Sequence, residues 1–149
     1  MKRIPTIDVP QANSLGVVGN LLALVKSGIE DKQRLSEELP LVLREVDYYM
    51  HAARILGFAE FEEGKGGEFR ITDRGHAYIE AETPSRKRAL LREAVRSAQV
   101  FKELLGRSSE ADLDEEKIVL FLKETTELNT TTARRRADTI LAWLKQTGD

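Results

Sequence analysis

Apolar residues recur at helical spacing over most of this chain, but between residues 58 and 72 that period gives way to a strand pattern. The break is centred on Gly64-Lys65-Gly66-Gly67. Residues 58–62 and 68–72 form two short runs, the second strictly alternating, with Phe69 and Ile71 on one side and Arg70 on the other. Such runs joined by a glycine-rich turn read as a β-hairpin. A lone two-stranded hairpin is marginal in water and must pack against something else. Every other patterned segment here is helical, so the expected class is mainly α with a small β-hairpin.

Three helical segments precede the hairpin. Asn13 or Ser14 can cap the first, which places Leu15, Val18, Leu21, Leu22 and Val25 on one face and ends at Ser27-Gly28. A short second helix over 31–38 turns Leu35 and Leu39 inward before Pro40 breaks the chain, and a third spans 41–56 and stops at Gly57. A fourth, over 73–81, follows the hairpin and leads to Thr83-Pro84. Helix, helix, helix, hairpin, helix is the order of a winged helix-turn-helix. The opening stretch, Ile4-Pro5 to Val9-Pro10, is expected to be extended because proline disfavours helix in the residue before it.

After Pro84 the pattern is wholly helical. Ser85 is placed to cap an arginine-rich helix to about residue 97, and Val100, Phe101, Leu104 and Leu105 define a shorter one ending at Gly106. Acidic residues 112–116 open a helix expected to bury Ile118, Leu120, Phe121 and Leu122. Asn129-Thr130-Thr131-Thr132 caps the last, with Ala133, Ala137, Ile140, Leu141 and Leu144 on one face. The last two helices, joined at Glu127-Leu128-Asn129, read as a second helix-turn-helix-like unit. Two domains are expected: residues 1–83 as a winged helix-turn-helix and 84–149 as the second helical unit.

Several function classes fall away. There is no cysteine among the 149 residues, hence no disulfide, thiolate zinc site or cysteine nucleophile. His51 and His76 are the only histidines, too few for a convincing zinc site. Glu63-Gly64-Lys65 and Glu115-Glu116-Lys117 match the Glu-x-Lys element of metal-dependent nucleases, but the first lies on a turn and the second at a helix start, away from any central sheet. No glycine motif that cradles phosphate precedes a helix. The expectation is a non-catalytic chain without cofactor or metal. No apolar run approaches the roughly 20 residues of a membrane span, and the opening Met1-Lys2-Arg3-Ile4-Pro5 is not followed by a signal-peptide core. A cytoplasmic protein with no membrane partner is expected.

The formal charge of -2 does not advertise a nucleic-acid binder, yet its layout is uneven. Residues 85–108 hold seven basic and two acidic side chains, 109–129 the reverse, and 130–149 four against two. A recognition helix must bury one side and offer the other to the major groove. On the third helix, 100° per residue gathers Val46, Tyr49, Met50, Ala53 and Leu56 on one side and Arg44, Tyr48, His51 and Ile55 opposite. Arginine can meet guanine bidentately, and tyrosine or histidine can hydrogen-bond phosphate or base edges. Nearby Glu45 and Asp47 would repel phosphate unless they are paired. On the last helix Ala133, Ala137, Ile140 and Leu144 face inward, Thr131, Arg135, Asp138 and Thr139 face away, and Arg134 and Arg136 flank them. Arginines in a first turn oppose the helix dipole. Either a phosphate at the helix N-terminus or pairing with acidic residues 110–116 offsets that cost. Lys65 at the hairpin tip is a wing contact, although Glu60, Glu62, Glu63 and Glu68 surround it. Arg86-Lys87-Arg88 with Arg92 and Arg96 reads as a solvated helix face, and Trp143 as a core residue.

Val46-Asp47-Tyr48-Tyr49, Ala53-Arg54-Ile55-Leu56-Gly57-Phe58 and Glu68-Phe69-Arg70-Ile71-Thr72-Asp73-Arg74-Gly75 are similar to winged-helix domains generally. Ile4-Pro5 to Val9-Pro10-Gln11, Val100-Phe101, Thr132-Ala133-Arg134-Arg135-Arg136-Ala137 and Trp143-Leu144 extend the likeness over nearly the whole chain. Together they resemble a prokaryotic winged-helix DNA-binding family often attached to restriction-type nucleases and related DNA-processing proteins. The resemblance implies a DNA-targeting module. These residues hold no nuclease domain, which leaves open whether the chain acts alone or beside a separate enzyme. The function expected is double-stranded DNA binding, as a transcriptional regulator or as a targeting accessory of a restriction or defence system. A separate nuclease or other protein subunit and a homodimer are the further candidate partners. The alternative is a winged-helix module for protein-protein contact, which the acidic balance and acidic wing favour.

Overall fold

The computed structural model describes residues 3–61 and 68–148. Among them are eight α-helices and one two-stranded antiparallel sheet. Lys65 lies outside the described residues.

Local chemistry sets the helix starts. Helix α1 (Leu15–Lys26) begins where Ser14 Oγ accepts the Val17 N–H, and it gives way to Gly28, whose φ of 107° suits glycine. Helix α2 (Lys32–Glu38) is capped by the Asp31 carboxylate on the Gln33 N–H. Helix α3 (Leu43–Ile55) starts without a polar cap residue; instead the Glu45 carboxylate reaches back to the Val42 N–H at 3.1 Å, half of a capping box. The chain leaves α3 through Gly57, at φ 78°.

Strands β1 (Ala59–Glu60) and β2 (Arg70–Ile71) pair Ala59 with Ile71 and Glu60 with Arg70. They are shorter than expected, although a Thr72 N–H to Phe58 carbonyl bond continues the pairing. An exposed Arg70–Glu60 ion pair at 2.7 Å lies across the strands and raises the Arg70 pKa, first through the hydrogen bond that Arg70 donates to Glu60. Helix α4 (Asp73–Glu80) is capped by Thr72, whose Oγ1 also donates to the Gly57 carbonyl. The order α1-α2-α3-β1-β2-α4 is the one anticipated.

Helix α5 (Pro84–Ser97) is capped by Thr83 rather than Ser85. Proline is well suited to the first helical position, where its missing N–H is not needed, so the cap falls one residue before it. Helices α6 (Gln99–Arg107), α7 (Glu115–Thr125) and α8 (Thr130–Gln146) follow, α7 capped by Asp114 and α8 by Asn129. Two details of the second half depart from the pattern. Leu120, expected inward, is 61% exposed, because Ile118, Val119, Phe121 and Leu122 take the packed side of α7. Thr139, expected on the open face of α8, is buried with its hydroxyl 2.6 Å from Asn13 Oδ1.

The buried apolar residues form one cluster that runs through both halves. Phe58 stacks on Tyr78 in the first half and Phe101 on Trp143 in the second, with interplanar angles of 12° and 3°. Burial raises the Tyr78 pKa. The N-terminal segment joins the halves. Contrary to the extended expectation, Thr6–Asp8 forms a 3-10 turn, closed by Asp8 N–H to Pro5 O and Val9 N–H to Thr6 O. On either side of that turn the segment lies against the last two helices. The Ile4 N–H donates to Thr125 O at 2.9 Å, the Trp143 indole N–H to Ala12 O at 2.7 Å, and the Leu15 N–H to Gln146 Oε1 at 2.9 Å. No described helix is long and apolar enough to cross a membrane.

Candidate nucleic-acid interface

Helices α3 and α8 lie some 90 residues apart in sequence, yet their open faces meet at one cleft. It measures about 460 Å³ and is lined by Arg44 and Tyr48 from α3, by Thr132, Arg135, Arg136, Asp138 and Thr139 from α8, and by Gln11 and Asn13 of the N-terminal segment. A recess of about 180 Å³ continues it along α3, sharing Gln11, Arg44 and Tyr48 and adding His51, Asp47, Ile55, Ile7 and Val9. Arg44, Tyr48, His51 and Arg135, anticipated as two separate groups, are therefore neighbours on one concave surface.

Side chains on the two walls differ in how far they are engaged. Arg44 and Arg135 are exposed, and neither guanidinium has an ion-pair or hydrogen-bond partner among the described residues. Tyr48 and His51 are half-buried. The His51 ring accepts a 3.3 Å hydrogen bond at Nδ1 from Arg54 Nε and leans on Phe61, centroids 4.9 Å apart. The acids feared as repulsive are occupied: Glu45 caps its own helix, and Asp47 pairs with Lys32 at 2.7 Å. Asp138 remains as an exposed carboxylate on the α8 wall.

The three successive arginines of α8 are sent to three places by the 100° helical step. Arg135 faces the cleft. Arg134 turns to the other side and bridges Glu116 at 2.9 Å and Glu115 at 3.2 Å; these hydrogen bonds, Glu116 first, hold its pKa above the usual arginine value. That is the acidic pairing weighed from sequence, and it also occupies both carboxylates of the Glu115-Glu116-Lys117 element, whose lysine donates to the Asp112 carbonyl. Arg136 corrects the expectation of an open DNA contact. It is only 9% exposed, and its Nη1 donates to Thr6 O at 2.9 Å and Val9 O at 2.8 Å. Its pKa is lowered, chiefly by burial, with Arg135 adding to the effect and Tyr48 opposing it. Thr131 is exposed in the first turn of α8, beside the lining Thr132.

Part of the α5 basic stripe is also engaged. Arg92 donates to Thr147 O, Arg96 holds both Glu110 oxygens and Thr147 Oγ1, and Lys87 sits 5.2 Å over the Tyr78 ring. Gln11, Asn13 and Thr132 had no sequence signal pointing to the cleft, because only the return of the N-terminal segment against α8 brings the first two there.

Chemically, the cleft and its recess offer two guanidiniums unpaired among the described residues, a phenol and an imidazole ring on facing helices. That set suits a ligand carrying both negative charge and hydrogen-bonding edges. No curated protein and no solved structure matches the chain. Residues 17–146 match a family described as "Domain of unknown function (DUF7226)". That match spans most of the 149 residues, and the chain belongs to this family.

Proposed function

We propose that this protein binds double-stranded DNA, without catalysis of its own, as a regulator or as a DNA-targeting accessory of a restriction or defence system. In this reading α3 enters the major groove, with Arg44, Tyr48 and His51 toward base edges. Arg135, with Thr131 and Thr132 at the start of α8, meets the adjoining phosphates. The observation that supports it best is the convergence of Arg44 and Arg135, both without partners among the described residues, on one cleft. Phosphate neutralisation favours cations that are not already paired. Arg134 and Arg136 have no part in the contact.

Arg44→Ala and Arg135→Ala are each expected to weaken duplex binding by about 1–3 kcal/mol. If Arg135 contacts phosphate, its loss also flattens the dependence of log affinity on log salt by about 0.9. Arg134→Ala should leave affinity within about 0.5 kcal/mol, the usual range for a surface change away from a contact. Anisotropy titrations of the three variants check this, and an Arg134→Ala loss as large as that of Arg135→Ala would move the contact off the cleft.

A second reading has its own support. Val42 is 58% exposed and Leu43 48%, just before the cleft-lining Arg44, and Ile7, also 48% exposed, lines the recess. Exposed aliphatic groups of that size suit a protein partner. A chain with no affinity for duplex at low salt, but with a tight protein complex lost on Leu43→Asp, would favour a protein-protein module.

A further inference from the structure

The two walls of the cleft belong to helices that pack mainly on other partners, α3 on α1 and α2, and α8 on α7. Between them lies the Thr6–Asp8 turn. None of its three residues is buried, although Ile4 and Val9 on either side are core residues. The turn itself is held by two arginines. From α3, Arg54 places Nη1 2.9 Å from Asp8 Oδ1 and donates through Nη2 to Ile7 O at 2.8 Å. From α8, Arg136 donates to Thr6 O and Val9 O. Four consecutive residues are thus gripped from opposite sides. The guanidinium is suited to this because its donors sit in a rigid planar fork that reaches two acceptors at once. Arg136 is buried against carbonyl dipoles with no carboxylate partner among the described residues, an arrangement that costs stability and therefore points to a geometric role.

We propose that Arg54 and Arg136 are positioning residues: by clamping the Thr6–Asp8 turn between α3 and α8 they fix the separation of the two walls, so that Arg44 and Arg135 engage the same duplex. This rests on the DNA-binding reading for its consequence, but not for the geometry itself, and the two are tested separately.

Geometry comes first. The 149-residue chain has no cysteine, so Leu43→Cys with Asp138→Cys gives a unique spin-label pair across the cleft. The clamp predicts a narrow distance distribution that broadens in Arg54→Met, a variant of similar length without donors, and narrows again in Arg54→Lys, which keeps the charge toward Asp8. An unchanged distribution in Arg54→Met would overturn the clamp whether or not DNA binds. Binding comes second. In the native background Arg135→Ala should weaken duplex binding roughly 5- to 150-fold, the range equivalent to 1–3 kcal/mol. In Arg54→Met the same change should cost less than about twofold, and the salt slope should already be shallower by about 0.9. General destabilisation moves neither the slope nor this coupling. A full Arg135→Ala penalty in a folded Arg54→Met chain contradicts the proposal. Arg136→Met repeats the test from the other wall; should it fail to fold, the partly exposed Arg54 carries both measurements. If the native chain binds no duplex, the DNA reading fails while the distance measurement still decides the clamp.

Discussion

Replacing Trp143 with alanine is expected to remove about 4–5 kcal/mol of folding free energy, a large share of what a domain has to lose. The indole is fully buried, lies parallel to Phe101 at a centroid distance of 5.6 Å, and donates to the Ala12 carbonyl. Truncation leaves a cavity the size of the ring system, which neighbouring helices fill only partly. It also strips Ala12 O of its donor, and a buried acceptor left without one costs about 1–3 kcal/mol. Trp143→Phe separates the two effects. It keeps most of the stacking on Phe101 but cannot donate, so its loss should be roughly half as large. Urea denaturation of both variants measures this, with slopes unchanged if the folded state keeps its compactness. Equal losses for the two would mean that the hydrogen bond, and not the ring, dominates the site. Because Ala12 adjoins Asn13 at the floor of the cleft, the phenylalanine variant should also bind DNA more weakly than its stability loss alone implies.

The second large effect is expected at Gly75, in the first turn of α4. A Cβ there would sit 2.2 Å from the Phe58 carbonyl oxygen and 2.7 Å from Ile71 Cγ2. The first is backbone, and it is held in place by the Thr72 N–H, so the clash cannot be relieved by turning a side chain. Helix α4 and the hairpin would have to separate. Gly75→Ala should therefore destabilise by roughly 2–4 kcal/mol, overpacking outweighing the better helix propensity of alanine. Gly106 is the control. It lies in α6, has no positive φ, and a Cβ on it meets nothing within 4 Å. Gly106→Ala should be neutral or stabilising by up to about 1 kcal/mol. Opposite signs for the same chemical change, read from thermal melts, are the expected result. A Gly75→Ala protein as stable as the native chain would mean that α4 does not pack on Phe58 as described.

Why the helices lie where they do was legible in the sequence, because caps and periodicity are local. Ser14, Asp31, Thr72 and Asn129 accept the N–H groups of the residues just after them, and the inward faces of α3 and α8 follow from a 100° step. Thr139 marks one limit of that rule: α8 packs on both α7 and the N-terminal segment, so its buried arc is wider than a single stripe. Leu120 marks another, because two helical steps carry it away from the face shared by Ile118, Phe121 and Leu122, and its apolar character alone placed it inward. The Thr6–Asp8 turn was illegible for another reason. It is hydrogen-bonded by Arg54 and Arg136, 46 and about 130 residues further along, and nothing local to Thr6 announces them.

The candidate site divides in the same way. Arg44, Tyr48, His51 and Arg135 were identifiable one helix at a time, since each requires only that its own helix bury the opposite face. That they share a cleft is a tertiary fact, as is the inclusion of Gln11 and Asn13. The run Arg134-Arg135-Arg136 shows why charge alone is a poor guide. Three identical side chains in sequence become a surface ion-pair partner, an open cation and a buried clamp. Only the direction in which each leaves the helix decides among them.

On the DNA-binding proposal, the cleft between α3 and α8 neutralises phosphates of duplex DNA. Fluorescence anisotropy of the native chain on a mixed-sequence duplex, at about 50 and 200 mM salt, tests it most directly. Saturable binding that weakens steeply with salt is expected, with a shallower dependence in the Arg44→Ala, Arg135→Ala double variant. Binding absent at the lower salt, or present with the same slope in both proteins, would contradict it.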